Sequence, residues 1–242
     1  MARSVHRDTG VREPGCRRNV RARGRLDVNL FPESANSIYW AAIALLGTGA
    51  IALPAGMIAW ARTPYATGEQ EAVAQPIKFD HRHHVRDDGV DCLYCHGGAT
   101  KTPNAGIPAT SVCMGCHTQI WISSPELAKV RDSWFEDRPI RWERVNTLPD
   151  FVFFNHSIHV NKGVGCVSCH GRVDQMGQVY AVAPLTMRWC LDCHRHPEEH
   201  LRPLDRITDM EWTPNEPQEV LGLRLRAELG VRSIVDCTGC HR

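Results

Sequence analysis

The chain has 242 residues, which bounds it to one or two domains. Eight Arg against four acids in residues 1–36 give +4, leaving −3 for residues 37–242 out of a total of +1, so a broad basic surface for nucleic acid is excluded outside the tail. Eleven cysteines in a chain of this size point to a framework of disulfides, metal sites or covalent attachments.

Residues 1–36 show no apolar period and read as a polar, Arg-rich tail, with Cys16 a reduced bystander. Residues 37–61 carry no charge. The 24 residues from Ile38 to Ala61 make a helix of about 36 Å, long enough to span a bilayer. Tyr39 and Trp40 stand at one end and Trp60 at the other, where interfacial aromatics belong. The basic tail keeps the N-terminus cytoplasmic, so a single-pass anchor in a bacterial cytoplasmic membrane is expected, with the rest of the chain on the exocytoplasmic, periplasmic side. Ala59-Trp60-Ala61 resembles a signal cleavage site, but the apolar run exceeds the usual length, and a retained anchor is expected. Pro54 is expected to kink it. Ala44, Thr48, Ala52 and Gly56 form a small-residue stripe, either a docking face for other membrane helices or an accident of an Ala-rich span. Residues 62–76 read as a polar linker.

A domain over residues 77–242 follows. It opens on "FDHRHHVRDDGVDCLYCHGG", in which two cysteines three apart precede a histidine. That C-x-x-C-H pattern occurs at Cys92, Cys95 and His96; Cys113, Cys116 and His117; Cys166, Cys169 and His170; Cys190, Cys193 and His194; and Cys237, Cys240 and His241. Composition alone gives roughly 0.03 occurrences. Structural zinc takes four ligands, and five pairs do not divide into fours. A disulfide framework leaves the histidines unexplained. C-x-x-C-H is the attachment signal for haem c: both thiols add to the vinyl groups of one porphyrin, and the histidine lies on the same helical face to meet the iron. Five covalently bound haem c groups are therefore expected.

The stretch 79–98 repeats as "FNHSIHVNKGVGCVSCHGR" at 154–172, and each copy is followed by a second attachment site, giving units of about 77–121 and 152–197 with a fifth site at 237–241. His81, His84, His156 and His159 recur in register as F-x-H-x-x-H and are expected as distal iron ligands, with His83 a solvent-facing neighbour. The fifth distal ligand is left open among Met187, three residues before Cys190, and Met176, Met210, His196 and His200. Between the units, Ser123 and Glu126 stand at capping-box spacing before a helix to about Phe135. Residues 138–145 read as a short strand or extended segment. Near the end, 217–230 reads as an amphipathic helix with Pro217 early and Gly230 as its stop. Residues 37–242 hold 16 Arg against four Lys, which suits bidentate pairing with propionates for some of them. The expected fold is mostly irregular with short α-helices, wrapped around five haems and preceded by one transmembrane α-helix.

"FNHSIHV" with "CVSCH" resembles the small low-potential tetrahaem cytochromes. "PDFVFFNHSIHVNKGVGCVSCHG", "PLTMRWCLDCHR", the final "CTGCHR" and the uncleaved anchor resemble, over about residues 38–242, the pentahaem cytochrome c subunit of alternative complex III. The resemblance implies an electron-transfer subunit, not catalytic on its own. It would pass electrons from quinol-oxidising membrane subunits to a cytochrome, another soluble acceptor or an oxidase, beside an iron–sulfur subunit and a monohaem cytochrome. It also implies that His81 ligates the haem on Cys92 and Cys95, that His156 ligates the haem on Cys166 and Cys169, and that His84 and His159 reach other haems, tying the two units together. A stand-alone membrane-anchored multihaem quinol dehydrogenase and a catalytic multihaem reductase are the rival readings.

Overall fold

The structure is a computed structural model, and it describes residues 31–241. The Arg-rich tail up to residue 30, Cys16 and the terminal Arg242 lie outside the described residues. The described chain falls into two compact units that divide between Ala55 and Gly56.

Helix α1, Ala35–Trp60, holds 26 residues without an acidic or basic side chain. Its mean hydropathy is 1.9, and none of its most apolar stretch is buried. By length and composition it is the one helix among the described residues able to cross a membrane. The helix continues through Pro54, which removes one backbone donor without ending the element. Residues 62–76 are not a free linker. Helix α2, Pro64–Thr67, closes on Gly68 with φ +71°. The chain then lies against residues 178–181: Gln70 N–H donates to Ala181 O at 2.8 Å, and Gln178 Nε2 donates to Val73 O at 2.7 Å.

The remaining helices are short. They are α3 (Cys92–Cys95), α4 (Thr110–His117), α5 (Ala128–Phe135), α6 (His156–Asn161), α7 (Cys166–His170), α8 (Met187–Arg195), α9 (Gln218–Glu228) and α10 (Cys237–Cys240). Among the described residues there are isolated bridges but no strands, so 138–145 is not a strand; Glu143 is held by backbone bonds to the Gln75 side chain. The expected Ser123–Glu126 box does not form. Ser124 accepts from Glu126 N–H at 3.3 Å, and Pro125–Leu127 forms a 3₁₀ turn before α5, since Pro125 fits an early helical position without an N–H to satisfy.

Helix α9 matches its sequence signals. Pro217 caps it, and Gly230 follows at φ +59°, a left-handed position that a side chain would strain. Its Leu221 and Leu225 join Leu201 in a hydrophobic cluster of buried residues, with Val164, Trp212, Leu229 and Val231 packed around it. Gly222 lets this helix approach the 197–199 turn: a Cβ there would overlap Glu198 O. This cluster anchors the strip 201–212 beneath the second repeat, and Arg202 N–H bonds Gly163 O at 2.8 Å.

Candidate functional site

The cysteines of each C-x-x-C-H motif lie on a helix: α3, α7 and α10 begin at the first cysteine, and α4 and α8 begin three residues before it. Asp91 caps α3 by accepting from Leu93 N–H at 2.8 Å, and Asp236 caps α10 by accepting from Gly239 N–H at 3.0 Å. Thr186 accepts from Trp189 N–H at 3.4 Å at the start of α8. A polar cap thus starts three of the five helices, while α4 and α7 begin on Ala109 and Gly165 without a side-chain cap; the i, i+3, i+4 spacing sets both thiols and the imidazole on one side.

The two F-x-H-x-x-H repeats build the same geometry from different helices. The first is a π-helical turn, Arg82–Asp87, entered from His81; the second is α6, capped by Asn155. In both, the Phe lies between the two imidazoles. Phe79 stacks on His84 at 4.3 Å and meets His81 edge-on at 4.7 Å. Phe154 stacks on His159 at 4.6 Å and meets His156 edge-on at 6.1 Å. His84 Nδ1 bonds Asp80 O at 2.9 Å, and His159 Nδ1 bonds Asn155 O at 2.8 Å.

Each repeat histidine is brought to a motif histidine. The ring centroids of His84 and His117 are 6.3 Å apart, those of His156 and His170 are 6.3 Å apart, and those of His159 and His194 are 5.9 Å apart. His81 lies beside His96 and His84. Two imidazoles sharing one metal, with bonds of about 2.0–2.1 Å, have centroids about 6.3 Å apart. The residues therefore fit a metal held between facing rings.

Hydrogen bonding fits as well. Besides His84 and His159, Nδ1 of His96 bonds Gly106 O at 3.1 Å, that of His117 bonds Ile120 O at 3.2 Å, that of His156 bonds Ala99 O at 2.9 Å and that of His241 bonds Phe151 O at 3.2 Å. A carbonyl on Nδ1 places the proton there and leaves the Nε2 lone pair for a metal. The Asn146 amide lies 3.3 Å from His170 Nδ1. His81 Nδ1 is buried without a hydrogen-bond partner. Burial, then the neighbouring His96 and His84, push His81 down to about 4; burial, then His156 and His96, push His170 down to about 4. Burial also lowers His159. Neutral imidazole is the ligating form.

The second histidine of each repeat thus meets the second motif of its own unit, which corrects the expectation that these residues tie one unit to the other. The units are joined instead by α6 on the backbone of the first: besides the His156 bond, His156 N–H donates to Pro103 O at 3.0 Å and Asn161 Nδ2 donates to Thr100 O at 2.9 Å.

The ten motif cysteines are not paired in disulfides. No three of His, Cys, Asp and Glu converge on a common point among the described residues, as a zinc site would need. Cys92 and Cys166 lie side by side.

His241 has a different neighbour. The Phe151 ring lies 5.7 Å away, tilted by 35°, while Phe153 N–H donates to Cys240 O at 2.8 Å. Of the open candidates for that site, Met187 is 66% exposed at the start of α8, and Met176 is 4% exposed. His196 is exposed with Glu198 3.7 Å away, and Met210 and His200 are half-buried. His83 pairs loosely with Asp87 and Asp88 and stacks on Trp121. Sequence reasoning singled out the paired histidines but missed Asn146 and the backbone acceptors Gly106, Ile120 and Phe151. Carbonyl groups carry no side-chain signal, and Asn146 lies 24 positions from its partner.

Residues 152–242 match the family described as "Cytochrome c7 and related cytochrome c". The chain is 36% identical over 97 residues to the protein named "Menaquinone reductase, multiheme cytochrome c subunit" of Nitratidesulfovibrio vulgaris, covering 40% of this chain and 45% of that one. It is 39% identical over 61 residues to "Cytochrome c-552" of Porphyromonas gingivalis, covering 22% of this chain and 12% of that one. The chain spans less than half the length of the curated relatives it matches. The C-terminal part of this chain is thus similar to cytochrome c7 and related cytochromes c, and the chain is similar over part of its length to the multihaem subunit of that first relative.

Proposed function

We propose that the chain binds five haem c groups and conducts electrons along them, as the membrane-anchored subunit of a quinol-oxidising complex. The observation that carries this reading is the set of facing imidazoles at metal-bridging separation, each beside a C-x-x-C pair. In this reading Cys92, Cys95, Cys113, Cys116, Cys166, Cys169, Cys190, Cys193, Cys237 and Cys240 form the thioethers. His96, His117, His170, His194 and His241 are proximal ligands; His81, His84, His156 and His159 are distal; Met187 is the foremost candidate at the fifth. The haems supply reversible one-electron chemistry at iron. The protein holds ring planes and imidazole tautomers fixed, so little reorganises when an electron passes.

Side-chain proximity supports a single row. Cys95 lies beside Cys113 and Cys116, and Cys92 lies beside Cys166. Cys169 lies beside Cys193 and Cys190, and Cys190 lies beside Cys240. The sites then run second, first, third, fourth, fifth, with the ends at His117 and His241 as the ports for entry and exit. The apolar α1 supports anchoring, and the name of the menaquinone reductase relative supports a quinone-linked complex. Within it the partners would be quinol-oxidising membrane subunits, an iron–sulfur subunit and a monohaem cytochrome, as in alternative complex III, with the haem domain periplasmic.

Intact-mass measurement of the native protein tests the haem count: five haem additions are expected, and two or three would overturn the reading. A catalytic reductase is the second reading, favoured by Phe151 in place of a histidine near His241. Carbon monoxide binding to one of the reduced haems would support it, and the absence of binding would favour the wire.

A further inference from the structure

Two charged residues are buried to less than a tenth exposure among the described residues, Asp174 at 6% and Arg202 at 8%. Asp174 has a guanidinium partner in Arg172. Among the described residues, no Asp or Glu carboxylate lies within ion-pair reach of Arg202. Its Nη1 donates to two backbone carbonyls, Asp209 O at 2.8 Å and Arg206 O at 3.3 Å, and its guanidinium lies 5.1 Å over the Trp212 ring. Nearby acids are engaged elsewhere. The Asp209 carboxylate faces Arg206 at 3.6 Å, and Asp91 accepts from Thr208 Oγ1 at 2.7 Å and from Leu93 N–H at 2.8 Å.

The position of this charge is built, not incidental. A Cβ on Gly165 would overlap the Arg202 side chain, so only glycine admits the guanidinium against the residue that precedes Cys166. Cys166 N–H is held by Ile207 O at 3.0 Å, and Cys92 Sγ lies 4.0 Å from Thr208 O. The strip that carries Arg202 therefore seats an attachment cysteine of the first site and one of the third, where the two halves of the row meet. A buried cation without an acid costs folding free energy and persists where surrounding dipoles hold it. Reduction of an iron adds one negative charge, and a fixed cation in a weakly screened interior favours that added charge.

We propose that Arg202 is a fixed positive charge that raises the reduction potential of the haems held at the first and third sites. This rests on the haem-binding reading above. It makes the centre of the row more oxidising than its ligands alone would set, so that electrons are drawn inward from either half.

The test is a potentiometric titration of the full-length, haem-loaded protein by visible absorbance, for wild type and for Arg202→Gln, Arg202→Lys and Asp209→Asn. Glutamine retains a donor for the carbonyls but removes the charge. One or two couples should shift by about tenfold toward the oxidised form at fixed ambient potential, about 59 mV for a one-electron couple. Lysine should keep the wild-type titration. Asp209→Asn, which removes the nearest carboxylate and keeps an acceptor for Glu211 N–H, should move the same couples in the opposite direction. An unchanged titration in a five-haem Arg202→Gln protein overturns the proposal, as does a lysine variant that shifts like glutamine. Should glutamine prevent haem loading, Asp209→Asn decides, and no movement there is also refutation. A wild-type protein without covalent haem would instead refute the haem-binding reading itself.

Discussion

Replacing His159 with Ala tests the distal assignments most directly. The His159 ring stacks on Phe154 at 4.6 Å, its Nδ1 bonds Asn155 O at 2.8 Å, and its centroid lies 5.9 Å from that of His194. Alanine removes the ring, the buried hydrogen bond and the donor opposite His194. One iron among five then loses its sixth ligand, so about one fifth of the haem should turn high-spin while the rest stays six-coordinate. The lost bond and packing cost about 1–3 kcal/mol, a fall in Tm of a few degrees for a domain of this size. Low-temperature electron paramagnetic resonance on the oxidised protein reads the spin state, and added imidazole should restore the low-spin signal in His159→Gly. His83→Ala is the control, because His83 faces Asp87, Asp88 and Trp121 and no motif histidine. A His159→Ala protein with five haems, all low-spin, would refute the assignment.

Other substitutions probe the scaffold. Gly222→Ala forces a methyl group onto Glu198 O and should destabilise the haem domain by about 1–3 kcal/mol or more, measured as Tm. Asp174→Asn should cost about 1.5–3 kcal/mol near neutral pH, because the carboxylate accepts from Arg172 at 2.8 and 2.6 Å. The Arg172 guanidinium holds the Asp174 carboxyl below the usual carboxylate range, so this stabilisation is present above the unfolded value of about 4 and fades as pH falls through the lower folded value. The difference between wild type and Asp174→Asn should therefore narrow below about pH 4, by thermal melts across pH. In α1, Ala52→Leu should reduce recovery of membrane partners on affinity purification, since a large side chain blocks close helix approach; undiminished recovery would place docking elsewhere.

What the sequence disclosed was whatever depends on short spacing. The five motifs, the repeat and the ends of α9 all follow from residues within a turn or two of each other, where helical periodicity and capping act. Pro217 and Gly230 mark that helix because one lacks an N–H and the other tolerates positive φ. Ser123 and Ser124 were not separable by this reasoning, because either places a hydroxyl near the first turn and only the path of Pro125 decides. The supposed linker failed for a different cause. Residues 69–73 are polar and short of apolar pattern, yet backbone bonds pin them to residues about a hundred positions away. Such pairing depends on the whole fold. The same holds for Arg202, which looked like any surface Arg until the strip 201–212 placed it against Gly165.

The repeat explains how a short chain can order many sites. Within one turn, two histidines three apart leave the same helix in different directions, held by a single Phe ring between them. One imidazole meets the motif just downstream, and the other meets the next motif, so a single helical turn fixes the spacing of two sites. A copy of this unit needs only a junction to extend the row. The junction here uses the ligand helix itself: the His156 ring and backbone both bond the loop 99–103 that follows the first motif. The contact that orients the His156 ring is therefore the contact that joins α6 to the loop of the first repeat. A displacement at 99–103 would misplace the His156 ring and separate the units together. Alignment of the ligands and continuity of the row are thus one structural requirement, met by the same few hydrogen bonds.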